Sequence, residues 1–574
     1  MIPGTTPHST SDFTTETKPT LGDIPPPLVG ASTTVVGNKL YLFGGRLVSS
    51  RQMINELYIL NLDSFIWTHH NTQNAPQARY FHSTSLFHHK LVVFGGMSSY
   101  QQGLCALDDI CIFDLDSMSW QYPNIPPSIY APQARYAHLA VICSSNKLVI
   151  MGGQDMSNQY INEMNIFDLT TLCWVQANTM PHQYGAYRAV AFCPDSFWHE
   201  EANEALCCVY SNYNFTDVTR DLQSFCPFSS SQSVIKNYSE NMSGVVLPPG
   251  LRFPTGDLLG HHLILNGTYL TPTHRSFHIW ALNLSNLVWV RIDTGQVLSQ
   301  GSWNRGVLYG QRFIVFGDKS RDLLEDYNHR QVNFTHAVVV ELEAFGIYVN
   351  PSETCAPIAQ ELGLSMLSEL ADMEFQTDDG RTIPVNSAVV TLRWPHFAKL
   401  SANKDHTHRL FHFPESYSVT LAFLQYIYTD HLMTAQQHQP HILSRLLVLA
   451  DMYGLSRLAQ LATHALHQIL TISTASMVYE TATLTSRYAL QVRALRVLFN
   501  AKKMLEQQDP RHLLHTSKSS TTAMPTTTTQ EQVPPSPKHS KSSHYPKNTG
   551  FLERKSSIVP TNQFIERPNM GVPF

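Results

Sequence analysis

The stretch Ala75–Gly96, APQARYFHSTSLFHHKLVVFGG, returns 56 residues later as Ala131–Gly153, APQARYAHLAVICSSNKLVIMGG. Both copies begin Ala-Pro-Gln-Ala-Arg-Tyr, place a His two residues after the Tyr, and end an apolar run with a Gly-Gly pair. Self-similarity at a fixed period of this size is typical of repeat architectures. The sequence is therefore interpreted first as an array of equivalent units.

The Gly-Gly pairs extend the array in both directions. They occur at Gly44-Gly45, Gly95-Gly96 and Gly152-Gly153, and each is followed by Asn or Asp next to Glu or Asp, a further apolar segment and a Trp. Weaker copies end at Ser211-Asn212, Asn266-Gly267 and Gly317-Asp318. Six units of about 50 residues with four short strands each predict a six-bladed β-propeller between about residues 31 and 349.

This residue pattern resembles the kelch repeat. Two ways of closing the ring remain open. Either the sixth unit supplies its own outer strand near Phe345–Val349, or a strand from before Ala31 completes it.

A second domain begins at about Pro351. Apolar residues at helical spacing are followed by a hairpin turn at Asp378-Asp379-Gly380 and then by three helical patterns, which predict an α+β domain. The segments Asp372–Phe375, Phe423–Thr429 and Leu449–Leu455 resemble, in sequence and order, the BTB/POZ domain. The chain departs from that family at Val385-Asn386, where Ala-His is common, and shows no hydrophobic-x-Glu cullin-binding motif between Ala398 and Phe413.

The expected fold is thus multidomain: an all-β six-bladed kelch propeller, an α+β BTB/POZ domain with a short helical extension, and disordered termini. The boundaries are a disordered lead-in at 1–27, the propeller at 28–350, the BTB/POZ domain at 360–470, a partial BACK-like extension at 471–508 and a disordered Ser/Thr/Pro-rich tail at 509–574.

Composition narrows the class of protein. The net charge of −5 and the charged fraction of 14% give no indication of a nucleic-acid or membrane surface. The amino terminus lacks a basic-plus-apolar signal segment, no apolar run reaches the length of a membrane span, and nine cysteines without paired spacing suit a reduced compartment. A cytoplasmic protein is expected.

Enzymatic sites are not indicated. Adjacent His pairs point to opposite faces of a strand, no Cys/His spacing fits zinc, and neither a nucleophile elbow nor a phosphate-binding loop occurs. No catalytic residue, metal ligand or cofactor is predicted. A copper oxidase of the kelch-propeller kind is a distant alternative without a supporting ligand pattern.

Aromatic and basic residues precede the first strand of several units, where strand starts surround one mouth of the channel. Such residues anchor protein interfaces. The predicted client-binding set is Arg79, Tyr80, Phe81, Arg135, Tyr136, Tyr187, Arg188, Trp303 and Asn304. For Arg79 and Arg135 the alternative is that they tie neighbouring blades together through carboxylates.

The resemblances imply a non-enzymatic adaptor. BTB relatives form homodimers through their leading helix, which here carries Leu362, Met366, Leu367 and Leu370. Kelch-first order resembles the fungal kelch–BTB regulators of Ras signalling and the leucine-zipper-like transcriptional regulator family. This implies a client protein at the propeller, with a Ras-type GTPase or its exchange factor as partner. The alternative is a substrate receptor that binds cullin-3.

Overall fold

A computed structural model describes residues 13–101, 103–194, 206–213, 218–228, 235–352, 356–367, 369–401 and 410–508. The chain divides into two compact units, Met1–Ala501 and Lys502–Phe574. The first unit holds both predicted domains. The predicted tail at 509–574 lies outside the described residues.

Six sheets make up the propeller, as the Gly-Gly periodicity predicts; they are antiparallel except at the edge of blade one, where Leu21–Gly22 runs parallel to Ile66–Trp67. Three short strands precede them: β1 (Thr15–Pro19), β2 (Leu21–Gly22) and β3 (Leu28–Val29). The first three blades contain β4 (Ser32–Val36), β5 (Lys39–Phe43), β7 (Leu57–Asn61) and β8 (Ile66–His70); β9 (Ser83–Phe87), β10 (Lys90–Tyr100), β11 (Gly103–Asp114) and β12 (Ser119–Gln121); and β13 (Leu139–Cys143), β14 (Lys147–Met151), β15 (Glu163–Asp168) and β16 (Cys173–Thr179). Between β5 and β7, β6 (Arg46–Leu47) pairs with β3 in a separate two-stranded sheet.

The weaker repeats also form blades. They contain β17 (Ala189–Phe192), β18 (Cys207–Tyr213), β19 (Thr219–Phe225) and β20 (Lys236–Asn237); β21 (Arg252–Leu259), β22 (His262–Leu270), β23 (Arg275–Asn283) and β24 (Val288–Arg291); and β25 (Ser302–Tyr309), β26 (Arg312–Asp318), α1 (Leu323–His329) and β27 (His336–Glu341). In each blade the first of these strands is innermost.

The outermost strand of blade six comes from the amino terminus. β1 pairs antiparallel with β27, from Thr15 opposite Val340 to Pro19 opposite His336. The Thr20 hydroxyl donates to the Phe334 carbonyl at 2.5 Å. The expected disordered lead-in is therefore corrected for residues 15–22, and Leu342–Phe345 forms a 3-10 helix rather than a closing strand. The pairing of β1 with β27 covers an edge of the blade-six sheet that would otherwise be open.

A Trp in the outer part of four blades packs against the preceding blade. Trp120 lies 4.7 Å from the ring of Phe43, and Trp174 lies 5.8 Å from that of Phe94. Trp289 contacts Tyr210 in the same way, while Trp67 of blade one contacts Phe316 of blade six. Each buried ring removes a large apolar area from water, so these contacts hold successive blades together and close the circle.

One pair of cysteines differs from the expectation of reduced thiols. Cys143 and Cys193 form a disulfide, and the sulfur of Cys207 lies within 4.8 Å of both. Cys143 ends the inner strand of blade three, and Cys193 follows that of blade four. Because the bond joins equivalent ends of adjacent repeats, its separation of 50 residues equals one repeat and does not look like paired spacing in the sequence.

The second domain has the predicted α+β composition. Its elements are α2 (Pro357–Ser365), β28 (Met373–Thr377), β29 (Thr382–Val385), α3 (Ser387–Arg393), α4 (Pro395–Ser401), β30 (Leu410–Phe413), α5 (Tyr417–Thr429), α6 (Pro440–Met452), α7 (Ser456–Gln468), α8 (Ala475–Leu484) and α9 (Tyr488–Gln508). Asn386, at the departure from the BTB pattern, caps α3 by accepting from the Ala388 and Val389 amides at 3.0 and 3.2 Å.

A polar contact joins this domain to the propeller. The His467 ring on α7 lies 3.1 Å from a Glu343 carboxylate oxygen and accepts from Arg493 at 2.7 Å. Tyr348 stacks on His467 with ring centres 4.7 Å apart. Burial lowers the pKa of His467, so the ring is neutral and its second nitrogen donates to Glu343.

Candidate functional site

The predicted mouth of the channel is built by one residue from each blade. Equivalent residues at the starts of the innermost strands line a cavity of about 330 Å³; they are Gly30, Phe81, Ala137, Tyr187, Phe253 and Asn304. Backbone hydrogen bonds link these positions from blade to blade. The Phe81 amide donates to the Gly30 carbonyl at 2.8 Å, the Ala137 amide to Phe81 at 2.9 Å, and the Phe253 amide to Tyr187 at 3.2 Å.

The backbone at this ring is unusual. Gly30, Phe81, Ala137 and Phe253 have φ of 66°, 55°, 50° and 50°. A left-handed conformation is unfavourable for residues with a Cβ, and such strain clusters at functional sites. The repeated geometry sets Phe81 and Phe253 at the cavity; the sequence pattern predicts the first of them and misses Phe253, whose repeat is weak.

Arg330 occupies the centre of the mouth. It follows α1, the helix inserted between β26 and β27, and ends that helix with φ of 55°. Its guanidinium carbon lies 5.4 Å from the ring centre of Tyr187, 5.7 Å from that of Phe253 and 5.9 Å from that of Phe81. Three aromatic faces thus hold one cation. Sequence reasoning missed Arg330 because it lies outside the repeat pattern.

The aromatic contacts continue outward on both sides. Tyr80 packs against Phe81 at 4.9 Å and carries Arg46 over its ring at 5.3 Å. On the other side Tyr327 packs against Phe253 at 5.9 Å, and Arg252 donates to its hydroxyl at 2.7 Å. We name this set the mouth band; its residues are Arg46, Tyr80, Phe81, Tyr187, Arg252, Phe253, Tyr327 and Arg330.

The predicted aromatic residues divide between the mouth and the core. Phe81 and Tyr187 are half-buried and line the cavity. Tyr80 and Tyr136 are buried, and the Tyr136 hydroxyl donates to Asn158 at 2.7 Å. Trp303 is only 1% exposed and belongs to the core between blades five and six, so it has no surface to offer a client.

The polar members of the set lie beside the cavity. Asn304 lines it, and its amide donates to the Gln331 carbonyl at 2.9 Å. Arg188 is half-buried next to Tyr187, and its carbonyl accepts from the Asn212 amide at 3.0 Å.

Arg79 is part of the scaffold rather than the surface. Its side chain is 0% exposed and binds both carboxylate oxygens of Asp109 at 2.8 Å. It also donates to the carbonyls of Gln77 and Gly95, while its own carbonyl accepts from Gly45 of the preceding blade. The side chain therefore joins strands within blade two, and the backbone ties that blade to blade one.

Arg135 repeats this arrangement in blade three. Its side chain is 0% exposed, pairs with Glu163 at 2.8 Å and donates to the Gly152 carbonyl at 3.2 Å. Both arginines thus pair with carboxylates, as the alternative to client binding predicts. They do not tie neighbouring blades together in this way, however, because each carboxylate lies in the same blade as its arginine.

The repeated histidines also serve the scaffold. His82 contacts the Ser32 hydroxyl at 2.8 Å, and His138 contacts the Ser83 hydroxyl at 2.7 Å, each reaching the inner strand of the preceding blade. Burial lowers the pKa of His138 to about 3. Both rings are buried between blades.

Comparisons with known proteins agree with this architecture. Residues 8–193 match the family model of the KLHDC2/KLHL20/DRC7 Kelch-repeats domain, and residues 363–470 match that of the BTB/POZ domain. The chain is 30% identical to Protein ral2 of Schizosaccharomyces pombe over 580 residues, which cover 85% of this chain and 94% of that protein. The chain belongs to the ral2-like kelch–BTB family. As such it is a protein-interaction adaptor.

Other relatives of this kelch–BTB protein match about a quarter of the chain. Tip elongation aberrant protein 1 of Schizosaccharomyces pombe is 33% identical over 27% of this chain and 13% of its own length. Kelch domain-containing protein 1 of Mus musculus is 30% identical over 26% of this chain and 36% of its own length. In the described part of the chain, no helix has the length and apolar character needed to cross a membrane.

A carboxylate and an arginine on the innermost strands of blades five and six influence each other electrostatically in the kelch–BTB protein. Asp257 on β21 lies near Arg305 on β25, and burial raises the pKa of Asp257 to about 6 while Arg305 opposes that rise. The Arg305 Nε is buried without a hydrogen-bond partner among the described residues. The ionised Asp257 is therefore poorly stabilised.

Replacing this carboxylate is expected to stabilise the fold at neutral pH. The folded protein retains the Asp257 proton up to pH of about 6, whereas the unfolded chain loses it near pH 4, so stability falls as pH rises through that window. Asp257→Asn removes this loss, and we expect a gain of about 1–3 kcal/mol at pH 7.5 and a smaller gain at pH 5. Urea unfolding at both pH values measures it.

The exposed Glu480→Gln on α8 is the matched control and should change neither value. An equal effect of Asp257→Asn at the two pH values would contradict the raised pKa.

The leading helix of the BTB domain presents an apolar face. Leu362 is 58% exposed, Leu370 is 77% exposed, and Met366 is also exposed. Leu367, by contrast, is partly buried against the core of its own domain. Only Leu362 lies on α2, which ends at Ser365, so the expectation that the helix also carries Met366, Leu367 and Leu370 is corrected: these residues follow it.

Proposed function

We propose that this kelch–BTB protein is a non-enzymatic, cytoplasmic adaptor in Ras-type GTPase signalling. The mouth band binds a client protein, and the exposed face of α2 joins two chains. The observation that carries the proposal is the mouth band itself. It gathers rings and cations from blades two, four and five, from β6 of the first repeat and from α1 at one end of the channel, and Tyr and Arg are the residues that dominate protein interfaces.

Two considerations support the Ras-type assignment. The kelch-first order resembles fungal kelch–BTB regulators of Ras signalling, and the similarity to Protein ral2 extends over both domains. A homodimer would also present two mouths, which raises avidity for a client that is itself multivalent. The partner is then a Ras-type GTPase or the exchange factor that loads it.

Charged substitutions at the exposed apolar residues Leu362 and Leu370 test whether two chains associate there. Leu362→Glu with Leu370→Glu places two charges where a second chain would be buried, so we expect the molar mass in light scattering to fall from that of two 64.7-kDa chains to that of one. Leu484→Glu on α8, where Leu484 is 74% exposed, is the control and should leave the dimer intact. A monomeric parent chain, or a dimer that survives both charges, would show that α2 is not the interface.

The partner is tested with purified components. Immobilised full-length protein is exposed to a Ras-type GTPase loaded with GDP or with a GTP analogue, to its exchange factor, and to cullin-3, and binding is measured by interferometry. We expect the GTPase or the exchange factor to bind, and Phe253→Ala at the mouth to weaken that binding at least about fivefold, since aromatic anchors contribute more than about 1 kcal/mol. Binding of cullin-3 alone would favour the ligase-receptor alternative.

A further inference from the structure

Two cations of the mouth band, Arg330 and Arg46, have no acidic partner among the described residues. The Arg330 guanidinium makes no hydrogen bond or ion pair with any described residue, although three rings surround it. The Arg46 side chain lies over Tyr80, and its buried Nε has no hydrogen-bond partner among the described residues. Both side chains are half-buried at the surface of the mouth.

Aromatic faces position a guanidinium without using its hydrogen-bond donors. The attraction of a cation to a ring acts through the ring face, so the five N–H groups of Arg330 remain available at its edge. An arginine held in this way has already lost much of its rotamer freedom, and binding a ligand costs less as a result. Carboxylates match the planar guanidinium with two parallel hydrogen bonds.

The carboxylate of Asp326, whose backbone carbonyl accepts from the Arg330 amide, already has partners of its own. Asp326 on α1 is fully buried, accepts from Arg321 at 2.6 and 2.8 Å, and also accepts from Asn333 at 2.6 Å. It therefore neutralises Arg321 and not Arg330. The mouth thus combines positive charge with unused donors in a chain whose net charge is −5.

The carboxy-terminal tail of the chain is positively charged and so does not complement the positively charged mouth. Residues 511–574 contain eight Lys or Arg against three Asp or Glu. Like charges juxtaposed at a contact are unfavourable, whereas an acidic partner would be steered toward the mouth. The occupant fitting the site is therefore an acidic segment of another protein.

We infer that the mouth band binds an acidic peptide segment of the client, with an Asp or Glu carboxylate paired to the Arg330 guanidinium and a second carboxylate near Arg46. This inference rests on the proposed function, because it assigns the chemistry of the client. The apolar stem of the bound side chain packs on Phe81, Tyr187 and Phe253, which line the cavity under Arg330.

The test uses full-length protein and an array of 12-residue peptides with degenerate positions, in which Asp and Glu, Asn and Gln, Lys, or phosphoserine are each fixed in turn. We expect the parent chain to prefer Asp or Glu over the amides. Arg330→Gln should weaken binding of the best acidic peptide at least about tenfold, because a charge-assisted pair contributes about 1.5–3 kcal/mol. Arg46→Gln should act in the same direction.

Arg291→Gln on β24 is the matched control, because it removes one exposed positive charge elsewhere on the propeller and should change binding less than about twofold. No acidic preference, equal effects of Arg330→Gln and Arg291→Gln, or a preference for phosphoserine over Glu would overturn the carboxylate assignment. Thermal unfolding of each variant establishes that it is folded. If the GTPase or exchange factor binds and Phe253→Ala abolishes this while Arg330→Gln does not, the proposed function stands and the inference fails.

Discussion

A chain that lacks residues 1–20 is expected to lose the closed propeller. β1 supplies the outer strand of blade six through five residue pairs with β27, and Thr20 adds a hydrogen bond to Phe334. Each such backbone hydrogen bond contributes about 0.5–1.5 kcal/mol, so the truncation should cost several kcal/mol. It also leaves β27 as an open edge that invites association.

The control is a chain that lacks residues 1–12, which keeps all of β1. We expect it to unfold at the same urea concentration as the full chain, whereas the longer truncation unfolds earlier or aggregates during purification. Equal stability of the two truncations would mean that the amino-terminal strand does not close the ring.

Arg79→Met is the second large effect, with an expected loss of about 3 kcal/mol. The methionine cannot replace the bonds to Asp109, Gln77 and Gly95, so several acceptors lose their donor in a site from which the arginine excluded water. The loss is below that of a fully buried pair because Asp109 is partly exposed. The midpoint of urea unfolding, followed by Trp fluorescence, measures it.

Arg312→Met provides the comparison, because Arg312 pairs with Glu341 at a similar distance of 2.8 Å but at the surface. Exposed ion pairs contribute at most about 1 kcal/mol. If both substitutions shift the midpoint equally, Arg79 is not a structural residue of the blade, and its removal from the client-binding set is unjustified.

The periodic residues predict the part of the fold that repeats. Gly-Gly pairs, apolar runs and Trp residues place the blades because each blade needs the same turns and the same interblade filling. The strand that closes the ring occurs only once in the chain. β1 has no counterpart in the other blades, so no period could reveal it.

The residues of the candidate site likewise divide into those at repeated positions and those that occur only once. Phe81 and Tyr187 are predicted because they occupy a repeated position, but Arg330 and Tyr327 arise from a helix inserted into a single blade. The pattern also overvalues Arg79 and Trp303, since it locates their positions along the chain and not the direction of their side chains. Which residues of a repeat face the core depends on contacts between blades, and these contacts are not local in sequence.

The most direct test of the account is whether partners are captured through the mouth. Full-length protein, a Phe81→Ala/Phe253→Ala variant and the Leu362→Glu/Leu370→Glu variant are used in parallel affinity purifications, and co-purifying proteins are quantified by mass spectrometry. The account predicts partners that the mouth variant loses and that the α2 variant retains in reduced amount, since only the number of mouths changes. Identical partners in identical amounts with the parent chain and the mouth variant would contradict it.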